Sequence, residues 1–495
     1  MPDQLPLLPL VLGLVPDGLR RALAQAGVPC RDQHSAPTEG RFVLFDSRGA
    51  QNLVIADGQI AIDVDRLRAS FDEDPFSALE NELSCRCEWQ IGRLRVQESV
   101  ARVDKFRIRK RLLADLRAMV EGAGGTWLQV SAYPFPYRSV FNFRIDHDDY
   151  DDHDFAATLD ATIGHEAAIS HYVCAADFVG RRDELARLRG QHIGSHGFLH
   201  HTFRDAADNR RNIRRGIEAL RNEGVEPVGF AAPHGRFNRA LRAALSELGV
   251  GHSSEFGLAY DELPFFLGDV LQIPIHPICL GVCMEAALER GAGFQPAIPG
   301  FYGRLETCPT SPAAAAEITL THFQEFAREA SLAGEPILLY GHPTGRLGRY
   351  PHVLAGILQS VARLHGVWRT TLAEWAAWWR ARAGAKLSVV QESYRWTVHA
   401  EGLGTSYPMA AEVWRGETVA TLPLDQPITT FTPSALAFER RPFNRSRPAP
   451  KPVPNEGWRE RMRTYLDWER VTPIEEIGAD TLRHWAKRTL RRIKD

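Results

Sequence analysis

The spacing of apolar residues along this chain changes several times, and each change marks an element. From Leu7 the runs LPLVLGLV, RFVLFDS, NLVIADG and QIAIDVD are short and rich in β-formers, while DGLRRALAQAG between them repeats its apolar residues at helical spacing. That interleaving predicts a small N-terminal α/β domain over 1–95. Within 96–126, the stretch ARVDKFRIRKRLLADLRAMV keeps a helical period and stops at EGAGG, a breaker, so a connecting helix is expected.

From 127 the period alternates regularly. The strand-like pieces FNFRI, AISHYVC, HIGSH, PVGFAAP, VGHSS, VLQIPI and PILLYGH are separated by helix-like ones such as RDAADNRRNIRRGIEALRNEG and RFNRALRAALSELG. Repeated β-α units call for a parallel sheet, and about seven in succession predict a distorted (β/α)7-type barrel over 127–383. The helix RTTLAEWAAWWRARAGA closes it. Alternating residues in 384–440 then predict a β-rich extension, 441–456 a proline-rich linker, and 457–495 a helical tail. The last helix is basic, with Leu482, Trp485, Leu490 and Ile493 on one side, which suits packing on the parent domain or a weak contact with a membrane surface.

Composition adds limits. With 495 residues, 44% hydrophobic and 24% charged, the chain is long and apolar enough for two or three domains with a sizeable core. A net charge of -2 gives no field that would draw nucleic acid. The 7 cysteines are odd in number and scattered, so reduced thiols are expected; Cys85/Cys87 and Cys279/Cys283 have weak metal-site spacings and read as buried small residues. The N-terminal run lacks a basic segment and a cleavage site, and no run approaches the ~20 apolar residues of a membrane span, so a cytoplasmic location is expected.

Four polar clusters stand at the ends of expected strands, where barrels of this kind collect their active residues. The first is FRIDHDDYDDHDF, with six aspartates and two histidines from 143 to 155. The second, IGSHGFLHHTF, spaces His196 and His200 four apart, which on a helical turn would let both reach one metal ion; His201 would point elsewhere. The third, GFAAPHGRFN, is readable as a simple βα loop. The fourth, ILLYGHPTGRLGRYP, runs a buried strand into His342 and then a loop with Arg346 and Arg349, which could meet an anionic group or only solvent.

In this order the clusters resemble the polysaccharide deacetylase family, carbohydrate esterase family four, over roughly 127–382, and its subgroup whose first motif reads R-I-D-x-D. The resemblance implies a hydrolase that removes an acetyl group from an N-acetylated sugar or sugar-containing precursor, in surface-polysaccharide or glycoconjugate synthesis. It implies a divalent metal, zinc first with cobalt or nickel as alternatives. His196 and His200 would be ligands, Asp148 the third ligand with Asp149 its competitor, Asp146 the catalytic base, and His342 the acid that protonates the leaving amine. Gly197 replaces the family's Ser or Thr. Ala231 replaces the arginine that holds the catalytic aspartate, leaving Arg144, His234 or Arg236 as substitutes, and His276 is a further candidate. The remaining acids, Asp151, Asp152 and Asp154, together with His153, are expected in a solvated loop and helix start.

The chemistry agrees with these residue types. Hydrolysis of an amide at neutral pH needs an activated water, a carboxylate that is not a ligand to take its proton, and a donor for the departing nitrogen. Two rival readings remain open: a carbohydrate-binding protein without catalysis on the same barrel, and a metal-dependent amidohydrolase acting on a non-sugar amide.

Overall fold

The computed structural model describes residues 5–6, 10–33, 40–48, 53–70, 84–92, 94–101, 105–235, 237–256, 263–284, 311–403, 407–441, 451–452 and 474. Nearly all of the expected helical tail and of the proline-rich linker, together with Arg236 and Cys308, lie outside them.

The N-terminal segment forms a parallel sheet in the order Cys30–Asp32, Leu10–Leu12, Phe42–Phe45, Ile60–Asp63. The helix Asp17–Ala26 buries Leu19, Ala22, Leu23 and Ala26, spaced one face apart, against Leu10, Leu12, Phe42 and Leu44. Its C-cap Gly27 has φ of 78°, and a Cβ there would come within 2.6 Å of the Val130 carbonyl and closer still to Arg382. Arg382 is buried and donates to the carbonyls of Ser131 at 2.8 Å, Val130 at 3.1 Å and Gln25 at 3.2 Å, tying this segment to the last helix of the central domain. A hairpin, Ser84–Ile91 with Leu94–Ala101, precedes the connecting helix Lys105–Gly122. The strand Gly125–Val130 pairs antiparallel with Met409–Arg415 of the C-terminal segment, so the chain returns to its own beginning there.

The central domain is numbered separately. Its strands are β1 (Ser139–His147), β2 (Ile169–Val173), β3 (His192–Ser195), β4 (His252–Phe256), β5 (Phe265–Leu267), β6 (Val270–Ile275), β7 (Ile337–Gly341) and β8 (Val367–Arg369). Its main helices are α1 (Asp152–Thr162), α2 (Ala206–Asn222), α3 (Arg239–Glu247), α4 (Pro312–Ala333), α5 (Pro351–Ala362) and α6 (Leu372–Gly384). β1 is buried along its whole length and pairs in parallel with β2, β7 and β8. β2 continues to β3, and β3 reaches β4 only through single-residue bridges at Phe230. β4 pairs with β6, and the His276 amide donates to the Leu338 carbonyl at 2.8 Å, which brings the ring back to β7 and β1. This is a distorted (β/α) barrel, with β5 an antiparallel flank on β6. The piece PVGFAAP thus contributes one bridging residue where the pattern predicts a strand.

Register sets the site. His147 lies opposite Val173, Val173 opposite Ser195, and Gly341 opposite Ile145. The residues that leave these strands, Asp148, His196 and His342, therefore emerge at one level on the carboxyl-end rim.

Candidate active site

Asp148 is the carboxylate that gathers the histidines. Its Oδ1 lies 3.2 Å from Nε2 of both His196 and His200, and its Oδ2 lies 3.5 Å from His342 Nε2. Asp149 is exposed and outside this cluster. Burial works to raise the Asp148 carboxyl, but His342, His196 and His200 outweigh it and hold it well below the usual carboxylate range.

His196 and His200 do not share a helical turn, as their spacing suggests; residues 196–203 form an irregular loop. Asn212 of α2 shapes it: its side chain accepts from Leu199 N at 2.8 Å and donates to the carbonyls of Leu199 at 3.0 Å and His201 at 3.2 Å. Those paired bonds satisfy backbone groups that a helix would have satisfied internally. Gly197 opens the loop with φ of +88°, and a Cβ there would lie 2.8 Å from Asn212 Nδ2. The residue at this position is glycine because the backbone is left-handed. His201 turns away, buried against Phe203 with ring centroids 4.4 Å apart.

The residues present fit a divalent cation. His196 Nδ1 is 2.8 Å from the Ala231 carbonyl oxygen, which can only accept, so the neutral ring keeps its proton on Nδ1 and turns the Nε2 lone pair toward Asp148. Asp148 Oδ1 is buried and has no hydrogen-bond donor. Either protons on the rings, which hold the Asp148 carboxyl low, or one metal ion bound to neutral rings relieves the repulsion among these facing acceptors, and the three candidate ligand atoms all lie within 4.8 Å of one another.

Two residues before Asp148, Asp146 is buried and paired. Its Oδ2 accepts from Arg144 Nη2 at 2.6 Å, while its Oδ1 has no partner. Arg144 has no exposed surface; its Nη1 donates to the Ser254 carbonyl at 2.5 Å and hydroxyl at 3.0 Å, and its guanidinium lies 5.1 Å from the Tyr340 ring. Burial alone would lower its pKa, but the Asp146 carboxylate, by charge and hydrogen bond, raises it instead, so Arg144 stays a cation. Among the described substitutes for the arginine missing at Ala231, Arg144 holds Asp146.

His342 receives a hydrogen bond at Nδ1 from Arg346 Nη1 at 2.8 Å, with the Cys279 thiol 3.3 Å from the same nitrogen. Burial lowers its pKa; Asp148 opposes this and Arg346 adds to it. A guanidinium at Nδ1 fixes the ring proton on Nε2, facing the site. Arg346 is thereby engaged with a site residue, whereas Arg349 is exposed.

The other candidates are spread more widely. His234 is exposed with φ of 57° and its ring is 4.4 Å from that of His200, so it borders the ligands without touching Asp146. His276 lies in the apolar layer beneath α4, against Phe323 and Phe326 at 5.3 and 4.6 Å, and its Nδ1 accepts from Ile278 N at 3.1 Å. Asp154 departs from the expected solvated loop. It is buried, and its Oδ2 accepts from Gly345 N at 2.6 Å in the loop that carries Arg346. Asp151 caps α1 by accepting from Asp154 N at 2.9 Å, and Asp152 and His153 are exposed as expected. Cys87, Cys279 and Cys283 are buried, as expected of small core residues.

Glu255 is a further buried acid near the site, and Cys279, expected only as a buried small residue, lies beside His342. Glu255 was detectable as an acid inside an otherwise buried strand, HSSEF. The nearness of Cys279 to His342 arises from the packing of distant segments, which its CxxxC spacing with Cys283 does not reveal.

Fold and site together define a class: a parallel α/β barrel with an Asp-His-His cluster suited to a metal ion and a second, buried carboxylate beside it. Neither a family model nor a curated protein matches the chain. Among solved structures it is similar to a protein assigned as a polysaccharide deacetylase from Mycobacterium smegmatis, at 20% identity and a TM-score of 0.40, over 53% of this chain and 96% of that one. It is similar also to a probable polysaccharide deacetylase from Pseudomonas aeruginosa PAO1, at 15% identity, TM-score 0.38, over 51% and 94% of the two chains. Puue allantoinase gives 14% identity and TM-score 0.38 over 51% and 93%. Likeness at this level leaves the chemistry to be argued from the site itself.

Proposed function

We propose that this protein is a metal-dependent hydrolase that removes the acetyl group from an N-acetylated sugar or sugar-containing precursor, in the building of a surface polysaccharide or glycoconjugate. One observation carries the hydrolytic part: three lone-pair donors, on Asp148, His196 and His200, converge beside a separate buried carboxylate, Asp146, whose Oδ1 is unpaired. A pure binding protein has no use for both a ligand carboxylate and a spare one. The sugar part of the reading is supported by the motif order and its resemblance to the deacetylases.

A divalent ion held by Asp148, His196 and His200 would lower the pKa of water and polarise the acetyl carbonyl. Asp146 Oδ1 takes a proton from the attacking water as the new C–O bond forms. Arg144 keeps the carboxylate from rotating away, since Oδ2 stays bound to Nη2. His342 presents Nε2–H to the site and donates a hydrogen bond to the reacting amide. With Arg346 on Nδ1 the ring cannot carry a second proton there without losing that contact. The proton that breaks the C–N bond is therefore assigned to Asp146, which returns the one it collected; the products are acetate and the free amine. This differs from the role implied for His342 by the family resemblance, and the reason is Arg346.

The test is release of acetate from a panel of N-acetyl sugars and simple N-acetyl amides, with and without chelator and with Asp146→Asn. Chelator-sensitive release from the sugars alone, reduced at least ~10³-fold in Asp146→Asn, is expected. Release unaffected by chelator and by the substitution would refute the mechanism. Faster release from the simple amides would reassign the substrate.

A further inference from the structure

Glu255 has no exposed surface, yet nothing in the reaction above uses it. Its Oε2 accepts from the Ala232 amide at 2.9 Å, and its other oxygen is engaged by the Ser253 hydroxyl. The stretch it fastens is otherwise held by backbone bonds, the Phe230 amide donating to the His252 carbonyl at 3.0 Å and the Ala231 amide to the Ser195 carbonyl at 3.0 Å. Phe230 makes only single-residue bridges to Ser195 and Ser253, and Ala231 and Ala232 have no side-chain groups with which to anchor themselves. The Ala231 carbonyl is nevertheless the acceptor that fixes the proton of His196 on Nδ1.

The same strand, β4, also holds the base half of the site. Ser254 accepts from Arg144 through both its carbonyl and its hydroxyl, and its amide donates to the Phe230 carbonyl at 2.8 Å. The Glu255 carboxylate lies within electrostatic reach of Arg144 and Asp146. The groups around the cluster are the rings of Tyr172 from β2 and Tyr340 from β7, the Ser253 hydroxyl and the Ala232 amide.

Resting on the metal-site reading above, we infer that Glu255 is a positioning residue: its carboxylate clamps the 230–232 loop onto β4, so that the ligand His196 and the base pair Arg144–Asp146 keep one fixed relation. It touches neither ligand nor substrate. It acts through the Ala232 amide on one side and through Arg144 on the other.

The clamp is an acceptor function, which glutamine shares and methionine, of similar size, does not. In the full-length protein, Zn2+ affinity measured by competition with a chromophoric chelator should fall about tenfold or more in Glu255→Met and stay within about threefold of the parent in Glu255→Gln. Where acetate release is measurable, kcat should fall about 10²-fold in Glu255→Met with KM within about twofold, and Glu255→Gln should recover at least a tenth of the parent kcat. Gln and Met variants alike in Zn2+ affinity, whether both intact or both impaired, would overturn the inference. Should Glu255→Met not fold, Ser253→Ala takes its place: a loss of about threefold in Zn2+ affinity supports the clamp, and unchanged affinity overturns it. Because affinity is read without turnover, an inactive parent protein would count against the proposed reaction and leave the clamp to be decided by Zn2+ alone.

Discussion

Arg144 stands between two buried carboxylates and makes three hydrogen bonds, to Asp146 and to the carbonyl and hydroxyl of Ser254. Replacing it with lysine retains a charge but loses the planar fork that reaches Asp146 and Ser254 together. We expect Arg144→Lys to lower kcat about 10²-fold with little change in KM and in bound metal, checked by steady-state kinetics and metal analysis. Gly197 is the second test at this scale. Serine, which the resemblance leads one to expect there, would be forced to φ of +88° against Asn212; Gly197→Ser should cost about 1–2 kcal/mol by denaturant unfolding and weaken Zn2+ binding. The division of FRIDHDDYDDHDF into Asp146 and Asp148 comes from the R-I-D-x-D resemblance, and the structure sets Asp148 among the histidines and Asp146 beside Arg144. Arg144 could be named only as one of three candidates: a pairing across two residues of the same strand depends on which neighbours enclose it, and those are Ser254, Tyr172 and Tyr340 from distant strands.

Two loops carry the site, and buried polar side chains from neighbouring helices hold them. Asn212 of α2 moulds residues 196–203, and Asp154 of α1 holds the loop after β7 through Gly345 N. Removing the first should loosen His200: Asn212→Ala is expected to cost about 2 kcal/mol of stability and to lower Zn2+ affinity, by thermal melts and chelator competition. Removing the second acts on the opposite wall, so Asp154→Ala should lower kcat about tenfold while Zn2+ stays bound. Equal losses of metal in both variants would contradict this separation. The strands that feed these loops were visible as apolar runs. The loops were not, because their shape is set by side chains that meet them from α1 and α2, and HxxxH spacing favours a helical turn that the backbone does not make.

At the scale of the whole molecule, the barrel was readable from the alternation of strand and helix, but its closure was not. It depends on Phe230 as a one-residue strand and on a single His276 to Leu338 bond. The hydrophobic period cannot reveal either. The return of Met409–Arg415 to Gly125–Val130 is likewise a long-range pairing without a local signal. Among the described residues no helix is long and apolar enough to cross a membrane.

The barrel buries His171, His192 and His252, and burial lowers their pKa values to about 4, about 4 and about 3. Each is neutral in the fold and protonates in the unfolded chain below about 6.5, so their stabilising effect is present above that pH and is lost as pH falls toward the folded values, about 3 kcal/mol each for His171 and His192 and about 5 kcal/mol for His252. Glu255 has the opposite sign: burial raises it to about 7, so its contribution is full below about 4.5 and is lost as pH rises through 7. Three groups outweigh one, and unfolding free energy should fall on acidification from pH 6.5 to 4. In Glu255→Gln the fall should be steeper than in the parent protein, since the opposing group is gone.

The central claim is that Asp148, His196 and His200 form a metal site and that Asp146 is not part of it. Metal content of the purified full-length protein, measured by plasma mass spectrometry on the parent, His196→Ala and Asp146→Asn, tests this directly. One equivalent of a divalent transition metal in the parent and in Asp146→Asn, and loss of it in His196→Ala, is the result predicted. Retention of metal in His196→Ala, or its loss in Asp146→Asn with the fold intact, would contradict the assignment.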